Sequence, residues 1–508
     1  MKHFYLKSII FLLILFSFQK CSQSQELDIT QLDKDFANAI ELYKVPGMSV
    51  SIVTADKVLL QKGYGVLSIE NSRAVDENTV FGIASLTKTF TSALVANAVK
   101  SEKLTYQSKI KDLYPGFKLY DSYVTNEITL ADALSHRSGL TNFSGDLIWY
   151  GSNVKDSLII SRLRYLHPQY GFRTHYGYSN IFYQLVGNIL EKTYNRKYEF
   201  LVDSIITAPL GMSRTIVKYE KAMTEANLAV PHLEKEDELI IQPYLSWNNM
   251  NAAGGIFSTA KDMSTYIQMW INKGISGDKH IIDGDLVKEI WKQKTPASLS
   301  WVETYLNSPV NFRSWGMGWA MMDYDGYKVL HHSGGLDGMV CHMVIVPDKK
   351  LGAVFLTNKT TALPTVLMYH LLDQTIGKGD KNYIAAAYEL MQKFKPHETE
   401  HAKMYAAPDD LKPDFFVGDY YDSLIGKVEI RKAKNKYQLD WTESTIFKGE
   451  LFQTEMLTFE LDWPLVPSLP RGKVIFDVDG TGQVKGFKIE LPNPDLHFDE
   501  LYFSRINE

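Results

Sequence analysis

The sequence predicts a mixed α/β (α+β) domain, with an antiparallel sheet flanked by helices, followed by a small all-β domain. Strand-like runs near residue 50 and near residue 340 enclose a long middle region that is rich in helix-like segments. Beyond residue 414, short strand-like runs alternate with turn signals at intervals of about ten residues. The length of 508 residues is too great for one ordinary core and favours two domains.

Composition excludes some classes of protein. Hydrophobic residues make up 45% of the chain and charged residues 22%, which are ordinary values for a globular protein. The net charge of −5 gives no basic face for nucleic acid, so we expect no nucleic-acid partner. A small-molecule or peptide substrate is the expected partner, and oligomeric state cannot be read from the sequence.

The N-terminus has the order of a secretory signal, and we predict a signal peptide over residues 1–24. Lys2 and Lys7 precede an apolar run over 9–18 that is too short to span a bilayer. Lipidation of Cys21 after cleavage and ordinary cleavage nearby both remain open; a lysine precedes Cys21 where lipoprotein signals carry a small residue. We therefore expect export to the periplasm, with or without a lipid anchor at Cys21.

Cysteine usage limits the chemistry. The two cysteines are Cys21 and Cys341, so loss or lipidation of the first leaves no intrachain disulfide, and a cysteine-rich metal site is excluded. We expect no metal and no cofactor.

The predicted catalytic domain spans 25–380, and its elements follow one another in a simple order. Two strands come first, and apolar residues at intervals of four then predict a helix from Ser85 to Val99. After the helix-rich region 105–320, three strands form an antiparallel meander, with turns at 334–338 and 347–350, and further helices follow. The predicted strands are Met48–Thr54, Val58–Tyr64, Tyr327–His332, Val340–Val346 and Gly352–Leu356, and the late helices span about 363–375 and begin again near 381.

A helical linker is predicted over 381–413, because the chain there becomes polar and gains three prolines from Pro396 onward. The predicted C-terminal domain, 414–508, is a small β-barrel or sandwich. Its predicted strands are Lys427–Arg431, Tyr437–Trp441, Leu457–Trp463, Lys473–Val478, Gln483–Glu490 and Glu500–Ser504.

Five Ser-x-x-Lys stretches occur, beginning at Ser85, Ser108, Ser152, Ser258 and Ser276. The spacing alone therefore decides nothing. Three of the five lie in polar stretches where a lysine stays protonated, and Ser258 is interpreted as a helix N-cap. Ser85 begins a strongly apolar helix, where the helix dipole favours negative charge on its oxygen. Lys88 lies three residues on, within reach of Ser85, and burial would lower its pKa and make it a base.

A second group of polar residues lies in His-Tyr-Gly-Tyr-Ser-Asn, 175–180, just before a predicted helix over Ile181–Leu190. Tyr178 is suited to proton relay and Asn180 to donation toward a substrate carbonyl. An aromatic staple with an N-capping asparagine is the structural alternative. Tyr305 and Asn307 repeat the spacing, but no amphipathic helix follows them.

A third group, His332-Ser333-Gly334-Gly335, ends a predicted strand. A strand edge can offer a backbone N–H to an oxyanion, and glycines allow close approach of a substrate. A glycine-rich hairpin turn is the alternative interpretation.

Together, and in this order, the three groups resemble the serine β-lactamase and penicillin-binding protein superfamily, in particular class C β-lactamases and related esterases, D-aminopeptidases and DD-peptidases. The resemblance covers roughly 30–375, and the all-β tail resembles a small domain often appended to such proteins. Further stretches that carry it are Ile-Thr-Leu-Ala-Asp-Ala-Leu-Ser-His-Arg-Ser-Gly-Leu at 128–140, Pro-Leu-Gly-Met at 209–212, Ala-Ala-Gly-Gly-Ile-Phe-Ser-Thr-Ala-Lys-Asp at 252–262 and Trp-Gly-Met-Gly-Trp at 315–319.

The resemblance implies a role for each matching residue. Ser85 would be the nucleophile that forms an acyl-enzyme, Lys88 would take its proton, and Tyr178 would assist proton transfer to the leaving group. Asn180 would orient the substrate amide. The backbone N–H groups of Ser85 and Gly335 would form the oxyanion hole, and His332, Ser333 and Gly334 would belong to the edge strand that holds the substrate.

One departure from the family bears on substrate. Class C β-lactamases carry lysine where this chain has His332, and histidine is mostly neutral near pH 7. Recognition of an anionic drug should be weaker, which favours a peptidase, amidase or esterase.

Two other functions stay open. The fold could serve a catalytically silent penicillin-binding-like sensor, although nucleophile, base, tyrosine and asparagine are all present. His397 and His401 match the His-Glu-x-x-His zinc signature of metallopeptidases. The surrounding segment is almost wholly polar and offers no evident third ligand, which favours a solvated helix or linker.

Overall fold

A computed structural model describes residues 27–394, 415–433 and 436–506 of the chain. The predicted signal peptide with Cys21, and the histidines at 397 and 401, lie outside the described residues. Within the described ranges, no helix combines the length and apolar character needed to cross a bilayer.

The N-terminal domain is built on a nine-stranded antiparallel sheet with the order β10-β11-β12-β13-β14-β15-β1-β2-β3. The strands of this domain are β1 (Gly47–Thr54), β2 (Val58–Ser68), β3 (Asn71–Ala74), β4 (Phe81–Gly82), β5 (His232–Lys235), β6 (Glu238–Ile241), β7 (Phe257–Ser258), β8 (Ile275–Ser276), β9 (Lys279–His280), β10 (Thr295–Ala297), β11 (Arg313–Trp315), β12 (Ala320–Tyr324), β13 (Tyr327–Leu336), β14 (Met339–Val346) and β15 (Leu351–Thr357).

Helices cover both faces of this sheet. The α-helices are α1 (Ile29–Leu42), α2 (Thr87–Lys100), α3 (Ile110–Leu113), α4 (Ser122–Glu127), α5 (Leu130–Leu134), α6 (Asp156–Arg162), α7 (Asn180–Tyr194), α8 (Tyr198–Val202), α9 (Ala208–Leu210), α10 (Tyr219–Ala222), α11 (Asn251–Gly254), α12 (Ala260–Ile271), α13 (Gly284–Ile290), α14 (Trp301–Tyr305), α15 (Leu363–Thr375) and α16 (Tyr383–Lys393).

The core lies on the two sides of the central strands. Residues of α1, α15 and α16 pack on one face of the sheet, and α12 packs on the other, where the core continues into the helical region around α2 and α7. Strands β1 and β15 are buried along almost their whole length because both of their faces are covered. The sheet is therefore a rigid platform for residues placed at its edge.

The first hairpin turn of the predicted meander is shorter than predicted. The turn was expected over 334–338, but β13 continues through Leu336 and the chain reverses at Asp337 and Gly338. Both glycines of the motif are thus strand residues, and at Gly334 the strand backbone approaches another segment closely. The N-cap of α12 is Thr259, which accepts a hydrogen bond from the Asp262 N–H, while Ser258 ends β7; the interpretation of Ser258 as the cap is therefore wrong by one residue.

The C-terminal domain is a closed eight-stranded antiparallel barrel, so of the two predicted architectures the barrel is the one formed. Six of its strands match predicted ones and two, β16 and β19, were missed. Aromatic side chains such as Tyr420, Trp441 and Phe487 fill the interior and leave it closely packed. The strands are β16 (Gly418–Asp422), β17 (Gly426–Ala433), β18 (Lys436–Trp441), β19 (Lys448–Gln453), β20 (Thr458–Asp462), β21 (Gly472–Val478), β22 (Val484–Glu490) and β23 (Phe503–Arg505).

The barrel packs against the helical region of the first domain. Arg162 forms a two-pronged ion pair with Glu443, at 2.6 and 3.0 Å, and the Thr445 N–H donates to the Gly151 carbonyl at 2.9 Å. These contacts place one side of the barrel beside the segment that leads to α6.

Candidate active site

Ser85 and Lys88 lie side by side at the start of α2. Ser85 sits in a single 3₁₀ turn, Ala84–Leu86, that leads directly into the helix. The Lys88 Nζ lies 2.9 Å from the Ser85 Oγ. Ala84, the preceding residue, has φ +46°, a left-handed conformation that costs a residue with a side chain some energy and often marks functional sites.

Burial separates this Ser-x-x-Lys pair from the other four. Lys88 is completely buried, whereas Lys155, Lys261 and Lys279 are exposed and Lys111 is half-buried. Burial penalises the charged ammonium and lowers the Lys88 pKa to about 7, although the nearby Asp146 carboxylate acts in the opposite direction. A lysine with this pKa is a competent base near neutral pH.

The neighbours of Lys88 leave one electron pair for Ser85. Besides the serine, its Nζ contacts the Asn180 Oδ1 at 2.7 Å and the Ala253 carbonyl oxygen at 2.8 Å. A neutral amine has two N–H donors, and these two acceptors take both of them. The remaining lone pair can then accept the Ser85 hydroxyl proton.

Asp146 is a site residue that the sequence interpretation missed. The Asn180 Nδ2 donates to the Asp146 Oδ2 at 2.6 Å, so the Asn180 amide connects this carboxylate to Lys88. The Trp149 indole N–H donates to the other carboxylate oxygen at 2.9 Å. Burial raises the pKa of Asp146 to about 7. No local pattern identifies Asp146, because it begins a short 3₁₀ turn, Asp146–Ile148, that lies 34 residues from its partner.

Tyr178 completes the group around the serine. Its phenol lines the same cleft as Ser85, and its ring lies 4.9 Å from the Lys88 Nζ. Burial raises the Tyr178 pKa well above its usual value, so the phenol stays protonated near neutral pH. It is thus suited to give a proton rather than to act as a tyrosinate base. Tyr305, the rival in the sequence, is 60% exposed on the surface.

Most residues at the end of β13 line the cleft, but one glycine faces the protein interior. Ser333 and Gly335 are exposed toward the cleft, while Gly334 faces inward. A Cβ at Gly334 would lie 2.5 Å from the Ile83 carbonyl oxygen, so the glycine lets the strand lie against the segment that carries Ser85. At Gly335 no atom lies within 4 Å of such a Cβ.

His332 is a buried neutral side chain at the cleft. It is 2% exposed, its Nδ1–H donates to the Ser333 carbonyl oxygen at 2.6 Å, and its ring lies against Trp315 at 5.2 Å. Burial, with the nearby Lys88 charge as a smaller cause, lowers the His332 pKa to about 3. This residue therefore provides no cation for an anionic substrate.

One cleft of about 1160 Å³ brings the site residues together, although Lys88 and Gly334 lie behind its wall. The site residues that line it are Ser85, Asp146, Tyr178, Asn180, His332, Ser333 and Gly335. Two carboxylates besides Asp146 line it, those of Asp337 and Asp495, and Arg313 is the arginine on its wall. The barrel contributes part of the wall. Its lining residues are Ser468, Leu469, Asn493, Asp495 and Leu496, and the aromatic lining residues are Phe143, Trp149, Tyr150, Tyr170, Tyr176, Tyr178, Trp247 and Trp315.

Comparison with known families agrees with this geometry. A family model described as Beta-lactamase matches residues 32–375, well over half of the chain. The chain belongs to the beta-lactamase family. The resemblance predicted from the ordered motifs is confirmed, as is the fold class of a β-lactamase-like domain followed by an all-β domain.

The chain is similar to curated proteins of different kinds, of which two are a hydrolase and a penicillin-binding protein. An unguisins hydrolase from Aspergillus violaceofuscus is 25% identical over 374 residues, which are 69% of this chain and 66% of that protein. Penicillin-binding protein 4 from Amycolatopsis lactamdurans is 25% identical over 344 residues, 66% of this chain and 87% of that protein. The match thus spans just under two thirds of the fungal hydrolase.

Solved structures share the fold. A penicillin-binding protein homologue from Pyrococcus abyssi, described as octameric, superposes with a TM-score of 0.63 at 19% identity over 94% of this chain and 100% of its own. A class C beta lactamase from Rhodobacter sphaeroides gives a TM-score of 0.54 at 21% identity over 68% and 98%. The archaeal match extends over the barrel as well as the family domain.

Proposed function

We propose that the protein is a serine hydrolase that cleaves an amide or ester bond through an acyl-enzyme on Ser85. The observation that carries the proposal is the completely buried Lys88 amine 2.9 Å from the Ser85 hydroxyl, with its other hydrogen-bonding capacity already used. Membership in the beta-lactamase family supports the same reaction class.

The chemistry follows from the contacts. As the Ser85 Oγ attacks the substrate carbonyl carbon, Lys88 accepts the hydroxyl proton, and the backbone N–H groups of Ser85 and Gly335 stabilise the oxyanion. Tyr178 passes a proton to the leaving group as the scissile bond breaks. The protonated Lys88 returns this proton to Tyr178, so that the amine is again neutral. Water then attacks the acyl-enzyme: Lys88 accepts a proton from the water, and Tyr178 gives a proton to the Ser85 Oγ as the acyl group leaves.

The charges of the cleft favour a substrate other than an anionic β-lactam. His332 is neutral, and the carboxylates of Asp337 and Asp495 line the same cleft. A substrate carboxylate would meet no cation at the position of His332, and the arginine of the cleft, Arg313, lies elsewhere on its wall. We therefore propose a peptidase, amidase or esterase whose substrate carries no obligatory carboxylate at this position.

Localisation belongs to the same proposal. The signal-like segment 1–24 supports export to the periplasm, with Cys21 as the site of a lipid anchor if cleavage precedes it. Mass analysis of the N-terminus of the mature protein tests both statements: a diacylated Cys21 would establish the anchor, and an intact Met1 would contradict export.

The activity test compares wild type, Ser85→Ala and Lys88→Met on esters, D- and L-amino peptides and nitrocefin. Both variants should lose hydrolysis by at least about a hundredfold, the contribution expected of a nucleophile and its base. Ser276→Ala is the matched control and should retain full activity, because it removes the serine of a Ser-x-x-Lys stretch whose lysine is exposed.

Each alternative function gives a different result in that test. Stoichiometric acylation of Ser85 without turnover on any substrate would support the silent sensor. Activity that survives Ser85→Ala and disappears with a chelator would support the zinc peptidase of His397 and His401.

A further inference from the structure

A short segment, residues 142–146, holds two of the proposed catalytic groups. Tyr178 is bound on both sides of its backbone: its N–H donates to the Asn142 Oδ1 at 2.8 Å, and its carbonyl oxygen accepts from the Phe143 N–H at 2.7 Å. Asp146, at the end of the segment, accepts from Asn180. The position of this segment therefore sets where the phenol and the amide lie.

The segment is in turn held by the barrel. The Glu500 carboxylate accepts from the Ser144 hydroxyl and from the Gly145 N–H, the latter at 2.8 Å. Three residues earlier, the His497 Nε2–H donates to the Asn142 carbonyl oxygen at 2.7 Å. Both barrel residues lie at the turn before β23, more than 350 positions from their partners. These two side chains thus bind consecutive parts of the segment.

We propose that Glu500 is a positioning residue for the proposed acyl transfer: from the barrel it fixes segment 142–146, which in turn fixes Tyr178 and the Asp146–Asn180–Lys88 connection. The barrel is then part of the working catalytic centre rather than a separate module. This inference rests on the proposed function of Ser85.

The energetic reason is the cost of leaving donors unpaired. Without the Glu500 carboxylate, the Ser144 hydroxyl and the Gly145 N–H lose their acceptor, and hydrogen bonds to a charged group are among the stronger ones in proteins. The segment can then shift, and displacements of about 1 Å at groups that position a reaction lower rates by up to about a hundredfold.

The chain offers a matched control at the same domain interface. Glu443 forms the two-pronged ion pair with Arg162, which is 7% exposed, and among the described residues this pair joins the barrel to α6 rather than to segment 142–146. Glu443→Ala breaks a charge-assisted contact between the same two domains. It should lower stability without changing the geometry around Ser85.

The test measures the rate of acylation by a fluorophosphonate probe, with the unfolding midpoint recorded for every variant. Glu500→Ala should lower the maximal acylation rate at least tenfold while the probe concentration for half-maximal rate changes little. Glu500→Gln, which keeps one acceptor oxygen, should lose less. The maximal acylation rate of Glu443→Ala should stay within about threefold of wild type, whatever its unfolding midpoint.

A double variant separates positioning from general destabilisation. If Glu500 acts through Asp146, then Glu500→Ala should add little to the loss caused by Asp146→Asn, because both act on one connected unit. Glu443→Ala should combine additively with Asp146→Asn.

The outcomes separate this inference from the function it rests on. Labelling that persists in Ser85→Ala contradicts the proposed function and the inference together. Labelling that depends on Ser85 but is equally fast in Glu500→Ala and Glu443→Ala contradicts the inference alone, as does full additivity of Glu500→Ala with Asp146→Asn.

Discussion

At the scale of single residues, the site depends on the ability of Lys88 to accept a proton from Ser85. Two acceptors bind its N–H groups and Ser85 faces its remaining electron pair. Asp146 adds a negative charge through Asn180, and this charge raises the pKa of Lys88 against the effect of burial. The two residues therefore set the pH range in which Ser85 can react.

The pH dependence of acylation tests this connection. Lys88 must be neutral to accept a proton, so the rate of acylation by a neutral ester should rise with pH to a plateau, with a midpoint near 7. Asp146→Asn removes the charge that raises the Lys88 pKa, so the midpoint should move to lower pH. A midpoint that stays in place or moves upward in Asp146→Asn would contradict the electrostatic role of Asp146.

Substrate charge selection is a prediction about His332. His332→Lys adds a cation where wild type has a neutral ring, so acylation by nitrocefin should increase about tenfold relative to acylation by a neutral ester. His332→Gln, which is also neutral, serves as the control and should show no such change in the ratio. An unchanged ratio in His332→Lys would show that this position does not control substrate charge.

At the scale of elements, strand β13 and helix α2 meet at Ser85. The sequence predicted the order of these elements and the apolar face of the helix, because both depend on local periodicity. It also predicted a turn at Gly334 and Gly335, since glycine pairs usually mark turns. What the local pattern cannot show is that Gly334 is small because the Ile83 carbonyl lies behind it.

Replacing each glycine separately tests the packing of β13. Gly334→Ala would force its methyl group to 2.5 Å from the Ile83 oxygen, so the strand must move away from Ser85. We expect a loss of about 1–3 kcal/mol in unfolding free energy, typical of overpacking, and acylation slowed at least tenfold.

Gly335→Ala is the control for stability, because its methyl group meets open space. Its unfolding free energy should stay within about 0.5 kcal/mol of wild type in urea denaturation. Equal stability losses in the two variants would show that the close approach at Gly334 is not what requires glycine.

At the scale of the whole molecule, two domains supply one site. The ordered motifs were enough to predict the family domain, and short strand-like runs with regular turn signals predicted the all-β tail. Asp146 and Glu500 could not be predicted, because their partners come from distant parts of the chain and from the other domain. Strand β16, with the sequence Gly-Asp-Tyr-Tyr-Asp, was missed because its polar ends hide the alternation that burial of Tyr420 reveals.

Acid stability is a property of the whole fold that depends on buried histidines. Burial lowers the pKa values of five described histidines: to about 3 for His332 and His342, well below the usual value for His136 and His331, and below the usual value for His232. The unfolded chain binds these protons below about pH 6.5 and the folded chain does not, so stability is present above that pH and falls as the pH drops.

Below about pH 6.5, each histidine lowers the free energy of unfolding by up to about 1.4 kcal/mol per pH unit. The Asp146 carboxyl, with its raised pKa, has the opposite effect and offsets about one histidine. Urea denaturation at pH 7.5, 6.5 and 5.5 should show falling stability. His342→Gln should reduce the slope of unfolding free energy against pH by about the contribution of one histidine. Stability that is constant or rises on acidification would contradict this account of the buried imidazoles.

In the proposed reaction, Ser85 is the residue that attacks. The most direct measurement is peptide mapping by mass spectrometry after reaction with a fluorophosphonate, in wild type and in Ser85→Ala. We expect one adduct, on the peptide that contains Ser85, and no adduct in the variant. An adduct on another peptide of wild type, or one that persists in Ser85→Ala, would contradict it.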